Sequence, residues 1–225
     1  MELVRNLLES ILNLLFPPKC PFCGKVLDRP GTCKKCRAVL PRTGEGDVLR
    51  RLDDGLLCIA PLWYEGCVRD ALLQLKFHGC ASNAVPLGAY IGRCVDEYYS
   101  GKFDVVTWTP VSRKRYKKRG YDQAELLARS ACLRWGMKPV RLVWKVKDNP
   151  AQSSLKSATR RQFNVQGVYK ASAEARGQRI LLIDDICTTG STLTACAQTL
   201  LDAGAERVLC ASAAVTGKSV EFGEE

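Results

Sequence analysis

The sequence predicts an α/β fold in which helices flank a parallel β-sheet, with a small four-cysteine module ahead of it. Three observations carry that reading. Ile180 to Ile183 is an aliphatic run without alternation, the pattern of a strand buried on both faces, and an apolar helical pattern (Leu193, Ala197, Leu200, Leu201) follows closely. Phe103 to Val111 reads as a second strand, followed after a polar stretch by a helix over Tyr121 to Trp135 with Ala124, Leu127, Ala128, Ala131 and Cys132 on its apolar face. Two Cys-x2-Cys pairs lie between Cys20 and Cys36. The chain has 225 residues, 46% of them hydrophobic and 25% charged, which suffices for one good core and a small appendage.

From the N-terminus, Met1 to Phe16 reads as an amphipathic helix with Val4, Leu7, Leu8, Ile11, Leu12 and Leu15 on one face. Packing on the body is the expectation, with a partner or a membrane surface as the alternatives. Glu2, Arg5 and Glu9 interrupt the apolar pattern, so the segment resembles neither a membrane span nor a signal peptide. No stretch has the uninterrupted apolar length of a transmembrane helix, and the reading is of a soluble, cytoplasmic protein.

Twelve cysteines divide into two classes. Cys20, Cys23, Cys33 and Cys36 form two knuckles nine residues apart, the spacing of a closed tetrathiolate site for structural Zn²⁺. Two disulfides or an iron–sulfur cluster are the competing readings. Cys94, Cys132, Cys196 and Cys210 sit in apolar contexts and read as small buried hydrophobes in a reducing compartment. Cys187 falls in the loop after the Ile180–Ile183 run and Asp184–Asp185 and reads as a filler. His78, the sole histidine, reads as an exposed loop residue.

Charge is concentrated. Pro110 to Arg161 holds fifteen Lys and Arg against three acids, a net +12, whereas the whole chain carries +11. Ser112 to Gly120 reads as a basic loop at the carboxyl end of its strand, where open α/β sheets meet their ligands. Asp148 to Gly167 is polar without a strand pattern and reads as a mobile loop with one short helix.

Asp184 and Asp185 emerge, on this reading, at the carboxyl end of the Ile180–Ile183 strand. Thr188, Thr189, Gly190, Ser191 and Thr192 follow at the start of a helix. Consecutive backbone N–H groups there form an anion-binding nest, the helix dipole adds favourable potential, and the hydroxyls donate to phosphate oxygens. Gly190 permits close backbone approach. There is no GxGxxG nearby and no Gly-Lys-Ser/Thr ending. Acids ahead of the phosphate turn suit a ribose 5-phosphate, with carboxylates accepting the 2- and 3-hydroxyl protons.

This stretch resembles the phosphoribosyl pyrophosphate motif of type I phosphoribosyltransferases. Together with Phe16-Pro-Pro-Lys-Cys20, Tyr64 to Gly79, Arg119 to Gln123 and Asp148 to Gly167, it is similar to the competence protein F family, which joins a four-cysteine zinc module to a phosphoribosyltransferase domain. With the amphipathic helix over 1–16, the resemblance implies a zinc module over 17–49 and a phosphoribosyltransferase-type domain over 50–225. It implies pyrophosphate contacts from Ser112 and Arg113, then Arg115 and Arg119, with Arg69 and Lys76 on a nearby helix. Gln152, Arg160, Arg161 and Asn164 would belong to a closing loop. Asp122 departs from the Asn more usual in the family.

The activity implied is displacement of pyrophosphate at C1 of phosphoribosyl pyrophosphate, with Mg²⁺ held by substrate oxygens and Asp184 and Asp185 ordering the ribose. The second reading is a single-stranded-DNA-binding protein of the DNA-uptake machinery that keeps the fold without transferase activity. Its support is Arg113 to Arg119 interleaved with Tyr116 and Tyr121, extended by Lys34, Lys35 and Arg37.

Overall fold

The protein is described from a computed structural model, covering residues 17–44, 49–147 and 167–217. The expected N-terminal helix and the loop bearing Gln152, Arg160, Arg161 and Asn164 lie outside the described residues. In chain order the elements are α1 (Lys34–Val39), β1 (Leu49–Arg51), β2 (Leu57–Ile59), α2 (Gly66–Phe77), α3 (Ala84–Tyr99), β3 (Val105–Trp108), α4 (Arg113–Arg119), α5 (Gln123–Cys132), β4 (Val143–Lys145), β5 (Tyr169–Ala171), β6 (Arg179–Cys187), α6 (Ser191–Asp202) and β7 (Arg207–Val215).

The main sheet has the order β1-β2-β7-β6-β3. All its pairings are parallel except that of the edge hairpin β1–β2. β6 lies inside the sheet, and its side chains serve both faces by the two-residue alternation of a strand. Leu181 and Ile183 enter a core with Leu72, Ile91 and Leu127, whereas Ile180 and Leu182 enter a second core with Leu193, Ala197 and Leu200. The run is continuously apolar because both sides of it are covered.

The predicted apolar face of α5 is the observed one, since Ala124, Leu127, Ala128, Ala131 and Cys132 are all fully buried. Its contact with α3 is tight. A Cβ at Gly88 would stand 2.5 Å from Ser130 Cβ and 2.7 Å from the Leu127 carbonyl oxygen, so only glycine allows the two helices to approach this closely. Cys94, Cys132, Cys196 and Cys210 are buried among apolar side chains as expected.

Three expectations change. β6 does not stop at Ile183; it continues to Cys187, because β7 still supplies ladder partners, with Asp184 opposite Ser212 and Ile186 opposite Ala214. The two acids and Cys187 therefore lie within the strand, and Cys187 is buried rather than a loop filler. The Phe103–Val111 strand is shorter, with β3 ending at Trp108. The basic loop after it is largely the helix α4, capped at its start by the Ser112 hydroxyl, which accepts from the Arg115 N–H, and closed by Gly120 in the left-handed region. Lys117, Lys118 and Arg119 occupy the last turn, where cations suit the helix dipole.

Residues 17–44 do not form an isolated unit. Phe22, Leu40 and the cysteines join the same apolar cluster as Leu72 and Tyr90, and Phe22 meets Tyr90 edge to face at 6.5 Å.

Candidate functional site

The carboxylate site is assembled where β6 outruns β3. The last paired residues are Trp108 and Ile183, and beyond them the β3 side of β6 opens toward the loop that begins at Thr109. Asp184 and Asp185 stand at this step, only 8% and 5% exposed. Thr109 donates its hydroxyl to Asp184 Oδ1 at 2.6 Å, and the Asp185 backbone N–H donates to the same oxygen at 2.8 Å. Lys76, near the end of α2, reaches Asp185 Oδ2 at 3.0 Å. One oxygen of each carboxylate, Asp184 Oδ2 and Asp185 Oδ1, carries no hydrogen bond among the described residues.

Burial and the neighbouring Asp185 charge push the Asp184 carboxyl up to about 8, against the opposing pull of the Thr109 hydroxyl, the Asp185 N–H and Lys76. Arg119 is half-buried nearby. It donates to Gln123 Oε1 at 2.8 Å and lies 5.1 Å from the centre of the Phe77 ring. Burial and Arg115 lower its pKa, while the Asp185 charge acts in the opposite direction. Lys76 and Arg119 thus bring positive charge to the acids from two separate helices.

The turn after β6 leaves Thr188, Thr189, Ser191 and Thr192 exposed, while Gly190 is buried beneath Leu52. Gly190 has φ +78°, and a Cβ there would come within 2.4 Å of a Leu52 methyl. Thr189 Oγ1 accepts from the Ser191 N–H at 3.4 Å, which shapes the turn at the start of the twelve-residue helix α6. Hydroxyls and N–H groups consequently stand at a helix N-terminus directly after a carboxylate pair.

The predicted site residues do not all meet. Lys76, Arg119, Asp184 and Asp185 come together. Ser112 is buried and its hydroxyl caps α4, whereas Arg115 is exposed and Arg113 lines a separate cleft. Arg69 is exposed, with Asp70 as its nearest carboxylate at 3.9 Å. His78 is exposed at the end of α2. Sequence reasoning missed Thr109; the signal was a hydroxyl residue immediately past the last core side chain of β3. Asp122 is a buried cap, accepting the Val111 N–H at 2.9 Å on Oδ2 and the Ala124 N–H at 3.1 Å on Oδ1.

In the N-terminal part, the Cys20, Cys23, Cys33 and Cys36 sulfurs all lie within 4.8 Å of one another. Cys23 and Cys33 Sγ are 3.7 Å apart, close to the edge of about 3.8 Å that a tetrahedron with Zn–S bonds of ~2.3 Å requires. All four are free thiols, so the disulfide reading fails. The first knuckle is closed by the Gly24 N–H donating to the Cys20 carbonyl at 2.9 Å. The second sits at the start of α1, where the Cys36 N–H donates to Cys33 Sγ at 3.4 Å. This donor set fits structural zinc and leaves no position for a catalytic water.

Comparisons with known proteins agree in kind. A phosphoribosyl transferase domain model matches residues 117–221, and a double zinc ribbon domain model matches residues 11–46. The chain is 28% identical to "Competence protein ComFC" of Bacillus subtilis (strain 168), over 82% of this chain and 72% of that one. It is 30% identical to "DNA utilization protein YhgH" of Escherichia coli O6:H1 over 47% of this chain and 46% of that one, so the match spans about half of each. Among solved structures it is similar to glutamine phosphoribosylpyrophosphate amidotransferase from B. subtilis, at 16% identity and a TM-score of 0.44, over 63% of this chain and 30% of that one. Among the described residues no helix is long and apolar enough to cross a membrane.

Proposed function

Because this chain belongs to the competence protein F family, whose zinc-module-bearing members fall among the type I phosphoribosyltransferases, we propose that it binds phosphoribosyl pyrophosphate at the Asp184–Asp185 site and transfers the phosphoribosyl group. The observation that carries this reading is the pair of acids, each with one uncommitted oxygen, directly ahead of the Thr188–Thr192 turn. The ribose hydroxyls donate to Asp185 Oδ1 and, where Asp184 is ionised, to its Oδ2. The 5-phosphate accepts hydrogen bonds from the turn at the N-terminus of α6.

A nucleophile forms its bond to C1 as the C1–O bond to pyrophosphate breaks, and pyrophosphate leaves with the electron pair. The chain positions and neutralises. Arg119 and Lys76 offer positive charge near the acids, and the exposed Arg115 follows on α4. Seven residues make α4 too short to hold an anion by its dipole, so its contribution is side-chain charge. Mg²⁺, when bound through substrate oxygens and its own waters, supplies further neutralisation of the leaving group. With Asp185 Oδ2 committed to Lys76, few protein oxygens remain to cage a cation, which suits an ion carried by the substrate.

The test is calorimetric titration of the zinc-loaded protein with phosphoribosyl pyrophosphate and Mg²⁺, beside an Asp184→Asn/Asp185→Asn variant. Binding to the parent that disappears in the variant supports the reading and directs a search for acceptors by pyrophosphate release. Absence of binding to either protein overturns it.

A second reading, DNA handling in competence, is favoured by the exposure of Lys114, Arg115, Lys117 and Lys118 on α4 and of Lys34, Lys35 and Arg37 on α1. The name of the E. coli relative points the same way. A steep fall of single-strand affinity with salt supports it, and a shallow slope counts against it.

A further inference from the structure

A cavity of about 480 Å³ lies outside the carboxylate site, between α4 and the β4 edge. Its lining repeats one pattern on two walls. Arg113, Tyr116 and Lys117 come from α4; Arg141, Trp144 and Lys145 come from β4 and the residues before it. In each set a cation is followed three residues later by an aromatic and then at once by another cation. Helical spacing brings Arg113, Tyr116 and Lys117 to one side of α4.

The aromatic rings are unusually open for their kind, with Trp144 39% and Tyr116 46% exposed. The β4 wall is held in place from behind. Leu142 donates its N–H to Thr107 Oγ1 at 3.2 Å and Val140 donates its own to the Val106 carbonyl at 2.8 Å, which fixes this segment along β3. Arg141 is oriented by Glu125 at 3.3 Å and by the Trp108 ring at 5.2 Å, and Lys145 lies 5.6 Å from the Tyr169 ring. Among the described residues lining the cavity, the one acid is Asp122, which is buried and turned to three backbone N–H groups rather than toward the cations.

We propose that this cleft is a nucleotide-binding site, in which a base stacks on Trp144 and Tyr116 while its phosphates are held by Arg113, Lys117, Arg141 and Lys145. Aromatic faces flanked by cations accept any base and track its phosphates, the chemistry of sequence-tolerant nucleotide contact. The volume suits one nucleotide unit, whether free or part of a single strand. The site is separate from the carboxylate pair and does not depend on the sugar-phosphate reading.

The experiment is a titration of the zinc-loaded protein, followed by tryptophan fluorescence and calorimetry, with three probes: adenosine triphosphate, inorganic tripolyphosphate and an oligodeoxyadenylate of eight residues. Adenosine triphosphate is expected to bind at least tenfold more tightly than tripolyphosphate. Trp144→Ala and Tyr116→Ala should each weaken adenosine triphosphate by about tenfold, within the range of a lost base–aromatic stack, and leave tripolyphosphate unchanged. Both side chains are exposed, so an unchanged melting temperature is expected and checks that the variants fold. An oligonucleotide that binds more tightly than the mononucleotide assigns the unit to a strand, and equal or weaker binding assigns it to a free nucleotide; either supports the site. Equal affinity for adenosine triphosphate and tripolyphosphate, or indifference to both aromatic substitutions, overturns it as a plain basic surface. Loss of nucleotide binding in Asp184→Asn/Asp185→Asn also overturns it, by placing the nucleotide at the carboxylate pair.

Discussion

The zinc knuckles and the carboxylate site both gather ionisable groups that repel one another, yet they are built in opposite ways. The four thiols come from seventeen consecutive positions, Cys20 to Cys36, and two local turns aim them at one point. The carboxylate site draws Lys76 from α2, Thr109 from the loop just past β3, Arg119 from α4 and the acids from β6. One site is secured by a bound ion, the other by strand register and by cations delivered from distant helices. The difference teaches where each is vulnerable: the first to loss of a single ligand, the second to loss of a counter-charge.

Removing a ligand from the first should have the largest effect. A structural zinc contributes on the order of 10 kcal/mol of apparent binding energy, comparable to the whole stability of many domains. Cys36→Ser is expected to abolish the single bound zinc, measured by colorimetric release. Because Phe22 and Leu40 share a core with Leu72 and Tyr90, it should also lower the melting temperature of the whole chain. Zinc loss with an unchanged melting curve would show that the two parts are energetically independent despite their packing.

The counterpart at the second site is Lys76→Met, which leaves two buried acids without their nearest cation. Breaking a buried pair costs about 3 kcal/mol, and Lys76 is partly exposed, so about 2–3 kcal/mol is expected from urea unfolding. Adding Asp185→Asn should recover most of it, and failure to recover would mean that Lys76 acts through packing alone.

Proton linkage sharpens the contrast. The folded state raises the Asp184 carboxyl from an ordinary value near 3.8 to about 8, so the folded chain holds this proton more tightly than the unfolded one. The stability it contributes is fully present below pH ~4 and is lost as pH rises through the interval up to about 8. Asp184→Asn should flatten that slope in unfolding free energy. A slope unchanged by the substitution would assign the titration to another group.

These two constructions also explain what the sequence disclosed. The zinc ligands were legible because their spacing is itself the geometry, and the faces of α5 and α6 were legible because their apolar periodicity is local. The acids were recognised but misplaced, since the aliphatic run ends at Ile183 while β7 carries the ladder on through Ser212 and Ala214. Helix α4 went unseen because none of its residues is buried, and it therefore has no apolar stripe to betray it. The bond from Thr109 to Asp184 spans 75 residues of sequence, and only the β3–β6 register brings its partners together.

Gly190→Ala tests the turn that follows the acids. It forces a Cβ into φ +78° and against Leu52, and about 1–2 kcal/mol of destabilisation is expected. Leu52 is itself a core residue, so the comparison is made against Leu52→Ala alone: in that background Gly190→Ala should lose the contact part of its cost but keep the backbone part, read from thermal unfolding. A Gly190→Ala that costs nothing in the Leu52→Ala background would mean that the left-handed backbone contributes little.

The smallest effect concerns Asp122, the buried carboxylate that ties Val111 to the start of α5. Asp122 uses one oxygen for the Val111 N–H and the other for the Ala124 and Glu125 N–H groups, so both sides of its carboxylate are occupied by donors. Asn, which the family more often carries, keeps one acceptor and turns its own N–H₂ toward the remaining donor. That mismatch costs about 1–2 kcal/mol, partly offset because burial disfavours the Asp122 charge and raises its pKa. Asp122→Asn is therefore expected to destabilise by about 1 kcal/mol or less, read from urea unfolding at neutral pH, with the deficit growing as pH falls and the parent carboxyl is relieved of its charge. A stabilised variant would mean that desolvation of the carboxylate outweighs its three hydrogen bonds, and that the segment from Val111 to Ser112 is held by the α4 cap instead.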